Sequence, residues 1–137
     1  MIEFFAHGIP KGQPRPRAFA RNGMVRVYDP GSAEGWKSAV AEAAKAHLPE
    51  KPLEGPVSVK IRFHFPRPKA HFTKKGLRPN ATVWYTSKPD SDNAAKAILD
   101  ALTVLGMWKD DSQVCDLRCL KLYAGEMDQP GAHIIIT

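Results

Sequence analysis

From Val57 to Phe65 the chain alternates without a break: Val57, Val59, Ile61, Phe63 and Phe65 are apolar, and Ser58, Lys60, Arg62 and His64 between them are polar. A period of two predicts a β-strand with one face on a core and the other wet or binding. Two stretches carry the helical period instead. Trp36, Val40, Ala43, Ala44 and His47 predict a helix over 32–48, with Ser32 as N-cap and Pro49 as its stop. Ala95, Ile98, Leu99, Leu102 and Leu105 predict a second over 92–105, capped by Asp92 and ended by Gly106. Further strands are expected at 2–8, 24–28, 114–123 and 133–137, with a brief one at 82–86. Asn22-Gly23 signals a hairpin turn. The prolines and glycines of 8–17 exclude regular structure there, and 66–81 reads as a long basic loop.

At 137 residues and 43% hydrophobic, the chain has the size and apolar content of one folded domain, 1–137. No stretch approaches the roughly 18 apolar residues that span a bilayer. The N-terminus has Glu3 where a signal peptide would carry positive charge, so a soluble, intracellular protein is expected. Cys115 and Cys119 lack the further ligands of a zinc site and are expected as core thiols on one strand face. The net charge of +6 is unevenly placed. Residues 1–88 hold 16 Lys and Arg against 6 Asp and Glu, and residues 89–137 hold 4 against 8. A basic first part followed by an acidic cluster suits a protein that grips a polyanion and sets carboxylates against it. A basic solvated surface would give the same count.

The acidic cluster begins at Lys88-Pro89-Asp90-Ser91-Asp92-Asn93-Ala94-Ala95-Lys96 and resumes at Trp108-Lys109-Asp110-Asp111. In an extended backbone Asp90 and Asp92 point to one side. A hard cation such as Mg²⁺ takes oxygen ligands and keeps several waters, so two or three carboxylates beside a phosphate can hold it. A polar turn with a helix cap is the alternative for the same pair. The second helix rises about 20 Å, and the chain from Leu105 to Asp111 spans at most about 20 Å. Asp110 or Asp111 can therefore return to the helix start only if the connection runs straight back. Lys96, one turn after Asp92, is either an ordinary i,i+4 ion pair or a group that stabilises charge on a phosphoryl oxygen. Ala94 and Ala95 stand where a calcium-binding EF-hand loop needs Asp or Asn and then Gly, which excludes that motif. No Gly-rich phosphate loop or Gly-x-Ser-x-Gly elbow is present, so no nucleotide cofactor is expected.

Taken together, Asp90-x-Asp92-Asn93-x-x-Lys96, Asp100-Ala101-Leu102 and Gly106-x-Trp108-x-Asp110-Asp111-x-Gln113-Val114 resemble the RusA-type Holliday junction resolvases. The opening Gly8-x-Pro10-Lys11-Gly12-x-Pro14-Arg15-Pro16-Arg17 is also similar to that family, so the resemblance covers nearly the whole chain. It implies an α+β fold with a mixed sheet and two main helices on one face. It further implies a homodimer that binds four-way DNA junctions and nicks two strands symmetrically, using Mg²⁺ with Mn²⁺ as a possible substitute. Family carboxylates map onto Asp90, Asp92 and Asp111, and the catalytic lysine onto Lys96. Asp100 matches a supporting position, and Asp110 is the less suitable of its adjacent pair. Lys11, Arg15, Arg17, Lys74 and Lys75 are the expected DNA contacts, and the cytoplasm, at the nucleoid, the expected place of action. A non-catalytic DNA-binding module on this fold, or a metal-dependent nuclease for other branched DNA or RNA, are the competing readings.

Overall fold

The computed structural model describes residues 1–14, 17–21, 24–28, 33–125 and 128–137, with the backbone alone at 17–21 and 24–28. The strand with the clearest alternation, β4 (Val57–Phe65), lies inside a four-stranded sheet. Its neighbours are β7 (Val114–Tyr123) and β8 (Gly131–Ile136), and β1 (Ile2–His7) lies beyond β8, for an order β1-β8-β4-β7. β4 and β7 are parallel and the other pairings antiparallel, so the sheet is mixed. Parallel neighbours need a crossover. Here the chain between them includes the helix α2 (Ser91–Leu105).

Both helices bury their apolar stripes on one face of the sheet. Trp36, Val40 and Ala44 of α1 (Glu34–Lys45) and Ala94, Ala95, Ile98, Ala101 and Leu102 of α2 meet the apolar side of β4. Phe4, Ala6, Ala132, Ile134 and Ile136 continue that layer across β1 and β8. Burying each of the larger side chains stabilises by about 1.5–3 kcal/mol, which makes this layer the main source of fold stability. The α+β architecture expected from the sequence is therefore the one observed.

Gly106 ends α2 in the left-handed region, at φ 95°. Its N–H donates to Thr103 O, and that of Met107 to Leu102 O, at 3.1 and 3.0 Å, which is a Schellman closure. Only glycine holds that φ without cost, so the predicted stop at Gly106 is a backbone requirement.

Other expectations need correction. α1 is shorter than 32–48, because the 3.6-residue stripe continues past the last hydrogen-bonded turn. Its N-cap position is Ala33, without a side-chain cap, while Ser32 lies outside the described residues. α2 has Asp90, not Asp92, at its N-cap position. The 66–81 segment is not structureless: it holds a 3-10 turn (Lys69–His71) and a small hairpin, β5 (Phe72–Thr73) with β6 (Gly76–Leu77). Residues 82–86 form only an isolated bridge, Trp84 to Leu122. Cys115 is exposed and Cys119 half-buried, because β7 is an edge strand rather than a central one. The predicted strand at 24–28 is β3 (Met24–Tyr28), paired with β2 (Arg17–Arg21) so that Arg21 faces Met24. The Asn22-Gly23 turn itself lies outside the described residues.

Candidate active site

The start of α2 organises the site. Asp90 is extended, at φ −63° and ψ 153°, and its carbonyl accepts the Ala94 N–H at 2.9 Å. Its side chain makes no capping bond, so capping does not consume the carboxylate. Asp92 stands in the first turn, where the helix N-terminus favours negative charge. Lys96 follows one turn later and is exposed.

The Pro/Gly-rich segment after β1 is laid directly against this helix start. The Gln13 N–H donates to Asn93 O at 3.1 Å. Gly12 packs so close that a Cβ there would strike the Asn93 amide and come within 3.0 Å of Pro89 Cβ. Lys11, Gln13, Phe65, Tyr85, Lys88, Asp90 and Asn93 line one open cleft of about 800 Å³. Gln13 Oε1 and Asn93 Oδ1 are buried there without a hydrogen-bond partner, two acceptors left for a ligand-borne donor, a water or a cation.

Aromatic packing fixes the chain as it enters α2. Tyr85 stacks on Phe65 at 3.8 Å between centroids and meets the Tyr123 ring edge-on. Burial, then the neighbouring Tyr123, pushes its phenol above the usual range, so it stays a neutral donor to Lys88 O at 2.7 Å. Lys121 donates to Ser87 O at 2.7 Å and lies over the Tyr85 ring. The Lys88–Pro89 peptide is cis. Sequence reasoning missed Tyr85, Lys88 and Lys121 as parts of the site, since neither periodicity nor a spaced motif marks them.

The second acidic pair sits in a 3-10 turn, Asp111–Gln113, which leads into β7 and touches α2. Asp110 caps that turn by accepting the Ser112 N–H at 2.9 Å. This backbone bond, chiefly, holds its carboxyl below the usual range. Gln113 Oε1 accepts the N–H groups of Lys109 and Asp110, and its amide donates to Leu53 O and Gly55 O at 2.9 and 3.1 Å. Asp110 is thus committed to the turn, whereas Asp111 takes no part in capping it.

Asp90 and Asp92 share the helix start, and Asp111 stands on a separate element. Among the described residues no three His, Cys, Asp or Glu side chains are grouped closely enough to hold a metal ion. The donor set is all oxygen and suits a hard cation such as Mg²⁺, but the three carboxylates do not form a closed cage. Asp100 is engaged elsewhere: it pairs with Lys37 of α1 and ties the two helices together.

Of the expected DNA contacts, Lys11 lies at the cleft, and Lys74 and Lys75 are exposed at the tip between β5 and β6. Arg15 and the side chain of Arg17 lie outside the described residues. Arg67, in the same basic stretch, is used internally, donating to Ala124 O and Thr82 O at 2.8 and 2.9 Å. Burial pushes the Cys119 thiol up to about 11, which leaves it protonated and unsuited to nucleophilic work near neutral pH. No helix is long and apolar enough to cross a membrane among the described residues.

Comparison with known proteins places these features. The family model for endodeoxyribonuclease RusA matches residues 7–137. An uncharacterised protein of Bacillus subtilis (strain 168), YqaN, is 41% identical, with 98% of this chain and 94% of its own length covered. The crossover junction endodeoxyribonucleases RusA of Enterobacteria phage 82 and Escherichia coli (strain K12) are each 28% identical, over 80% of this chain and 76% of theirs.

Proposed function

Because this chain belongs to the RusA endodeoxyribonuclease family, we propose that it is a Mg²⁺-dependent endonuclease that resolves four-way DNA junctions by paired, symmetric nicks. The observation that carries this reading is the cleft at the start of α2, whose lining includes Asp90, Lys11 and Lys88 together with Gln13 and Asn93, two residues with unsatisfied buried acceptors. A cleft lined by one carboxylate and two ammonium groups suits a phosphodiester held beside a cation.

Asp90, Asp92 and Asp111 would hold Mg²⁺, or Mn²⁺ in its place. The ion supplies a bound water of lowered pKa and charge neutralisation at phosphorus. Lys96, one turn beyond Asp92, is set to stabilise charge on the phosphoryl or leaving oxygen. Lys11 and Lys88, with Arg15, Arg17, Lys74 and Lys75, would contact phosphates and orient the arms without reading bases. Affinity for DNA should then fall steeply with salt. A homodimer acting in the cytoplasm, at the nucleoid, suits a two-fold junction that needs two opposed cuts.

The test is cleavage of a synthetic four-way junction against linear duplex of the same arms, with and without Mg²⁺, and with D92N alongside. Paired nicks on the junction alone, lost in D92N, are expected. Tight junction binding without nicks would replace the enzyme with a binding module. Equal cutting of both substrates would keep the nuclease and remove the junction.

A further inference from the structure

The helices cover one face of the sheet, and the other face carries a second cavity, of about 390 Å³. Strand register explains it. Phe5, His133 and Arg62 are cross-strand neighbours on β1, β8 and β4, and the next row along is His7, Gly131 and His64. Alternate positions on a strand share a face, so both rows lie on the side away from the helices. Gly131 leaves a notch between two histidines, and Phe5 leans into it, since a Cβ on Gly131 would strike the Phe5 ring. That ring lies 4.7 Å from the ring of His7 and 6.1 Å from that of His64. Asp128 and Gln129, just before β8, add a carboxylate and an amide to the lining.

Three histidines invite a metal, but among the described residues no three His, Cys, Asp or Glu side chains are close enough to hold one. His133 is already paired with Glu3, at 2.7 Å. Burial, chiefly, holds His64 below its usual range, so near neutral pH its ring offers hydrogen bonds rather than charge, and its Nδ1 is buried without a partner. A bare inorganic anion would suit Arg62 but would be opposed by Asp128. A ring face, a guanidinium and a carboxylate in one cavity of small-ligand size suit a planar ligand with a donor edge and a negative group. We propose that this cavity binds a guanine nucleotide: Phe5 stacks on the base, Asp128 accepts its N1–H and amino hydrogens, and Arg62 meets its phosphate. Guanine is the one base with two adjacent donors on its pairing edge, and a carboxylate accepts through two adjacent oxygens. On that edge adenine and cytosine set an acceptor beside the donor, and thymine sets acceptors on both sides of it, which a carboxylate repels. Aromatic rings stack on any base, so the carboxylate sets the choice.

This cavity stands back to back with the active-site cleft. His64 lines the cavity, and Phe65, the next residue of β4, lines the cleft. His7 and Ile9 divide in the same way at the end of β1. A DNA strand with a phosphate at the start of α2 can therefore pass round this rim and leave an unpaired guanine in the cavity. That use as a substrate subsite rests on the nuclease reading, whereas the binding chemistry does not, and a free guanine nucleotide satisfies it equally.

The experiment is an amide NMR titration of the full chain with dGMP, dIMP, dAMP, dCMP and TMP, without added metal. dGMP should shift the signals of Phe5, His64 and Gly131. It should bind on the order of 10-fold more tightly than dIMP, which lacks the amino group. D128N should weaken dGMP by a similar factor and erase its advantage over dIMP, with an unchanged circular dichroism melt. A merely structural role for Asp128 would leave that advantage in place and overturn its assignment. Shifts confined to Lys11, Gln13 and Asn93 would place the nucleotide in the active-site cleft and overturn the proposal, as would equal affinity for all the nucleotides. The trinucleotides dTdGdT and dTdTdT identify the source. A guanine-dependent gain over dGMP marks an unpaired guanine in a strand, and guanine binding without that gain marks a free nucleotide. Junction cleavage reports separately on the nuclease, so a failed titration leaves that reading intact.

Discussion

Asp100 sits inside the sequence motif that resembles the resolvase family, yet its carboxylate is paired with Lys37 of α1. The Lys37 side chain is only 15% exposed, and that of Asp100 is 42% exposed. That asymmetry decides which partner costs more to remove. In D100A the ammonium keeps its mostly buried site without its counter-charge. In K37M the methionine fills the same volume, and the remaining carboxylate is open enough to be hydrated. An exposed pair contributes about 0.2–1 kcal/mol, and breaking a fully buried one costs about 3–5 kcal/mol. Partial solvent access to Asp100 puts this pair near the lower figure, so D100A should cost about 1–2 kcal/mol and K37M about 1 kcal/mol or less. For a domain of this size that is about 3–8 °C in Tm for D100A. Differential scanning calorimetry on D100A, K37M and the double variant would read both the losses and their coupling, with junction cleavage measured at 25 °C on the same samples. Cleavage should survive in all three. A D100A protein with wild-type Tm and no cleavage would refute the argument and return Asp100 to the catalytic group.

Three further outcomes follow from the site. D111N should lose cleavage on the order of 100-fold with little change in Tm, while D110N should cost stability and retain cleavage, because Asp110 caps the turn; the opposite pattern in paired assays would exchange their roles. G12A should lower Tm through about 1–3 kcal/mol of overpacking against Asn93 and Pro89, and should weaken junction binding by displacing Lys11; an unchanged melt and unchanged gel-shift affinity would contradict that packing. Burial, before the opposing charge of Asp128, lowers the pKa of His64 on the open sheet face. The unfolded chain therefore takes up that proton first, and stability should fall as pH drops through about 6.5, levelling off below the native pKa. H64Q should flatten that fall in urea midpoints between pH 7.5 and 5.0, and an undiminished fall would assign it to other groups.

The parts of the fold that were legible are those a short-range period or a backbone constraint decides. β4 appears at the predicted boundaries because alternation over nine residues admits one face inward. Gly106 ends α2 because the chain must turn through a left-handed conformation there. What was not legible depends on position in the sheet and on contacts distant in sequence. β7 has the composition of a core strand, but whether its cysteines are covered depends on its standing at the edge, which its own residues do not state. The 66–81 stretch reads as loop because its hairpin strands are two residues long, held by Arg78 and Thr73 side chains rather than by apolar burial. In the site, Asp90, Asp92 and Lys96 were legible as a spaced motif on one helix start. Tyr85, Lys88 and Lys121 were not, because they act through ring stacking and backbone carbonyls.

The arrangement also explains why the site draws on three separated segments. A helix N-terminus alone offers Asp90 and Asp92 on an exposed corner, with water on all other sides. The 11–13 segment supplies the facing wall, and it can approach only because residue 12 lacks a side chain. The 85–88 segment supplies the floor, pinned from β7 by Lys121 and from β4 by the Phe65 ring. Asp111, the third carboxylate of the proposed site, is carried by the turn that Gln113 anchors to Leu53 and Gly55. Each wall therefore reports on the same sheet: β1 delivers the first, β4 and β7 hold the second, and the start of β7 carries the third.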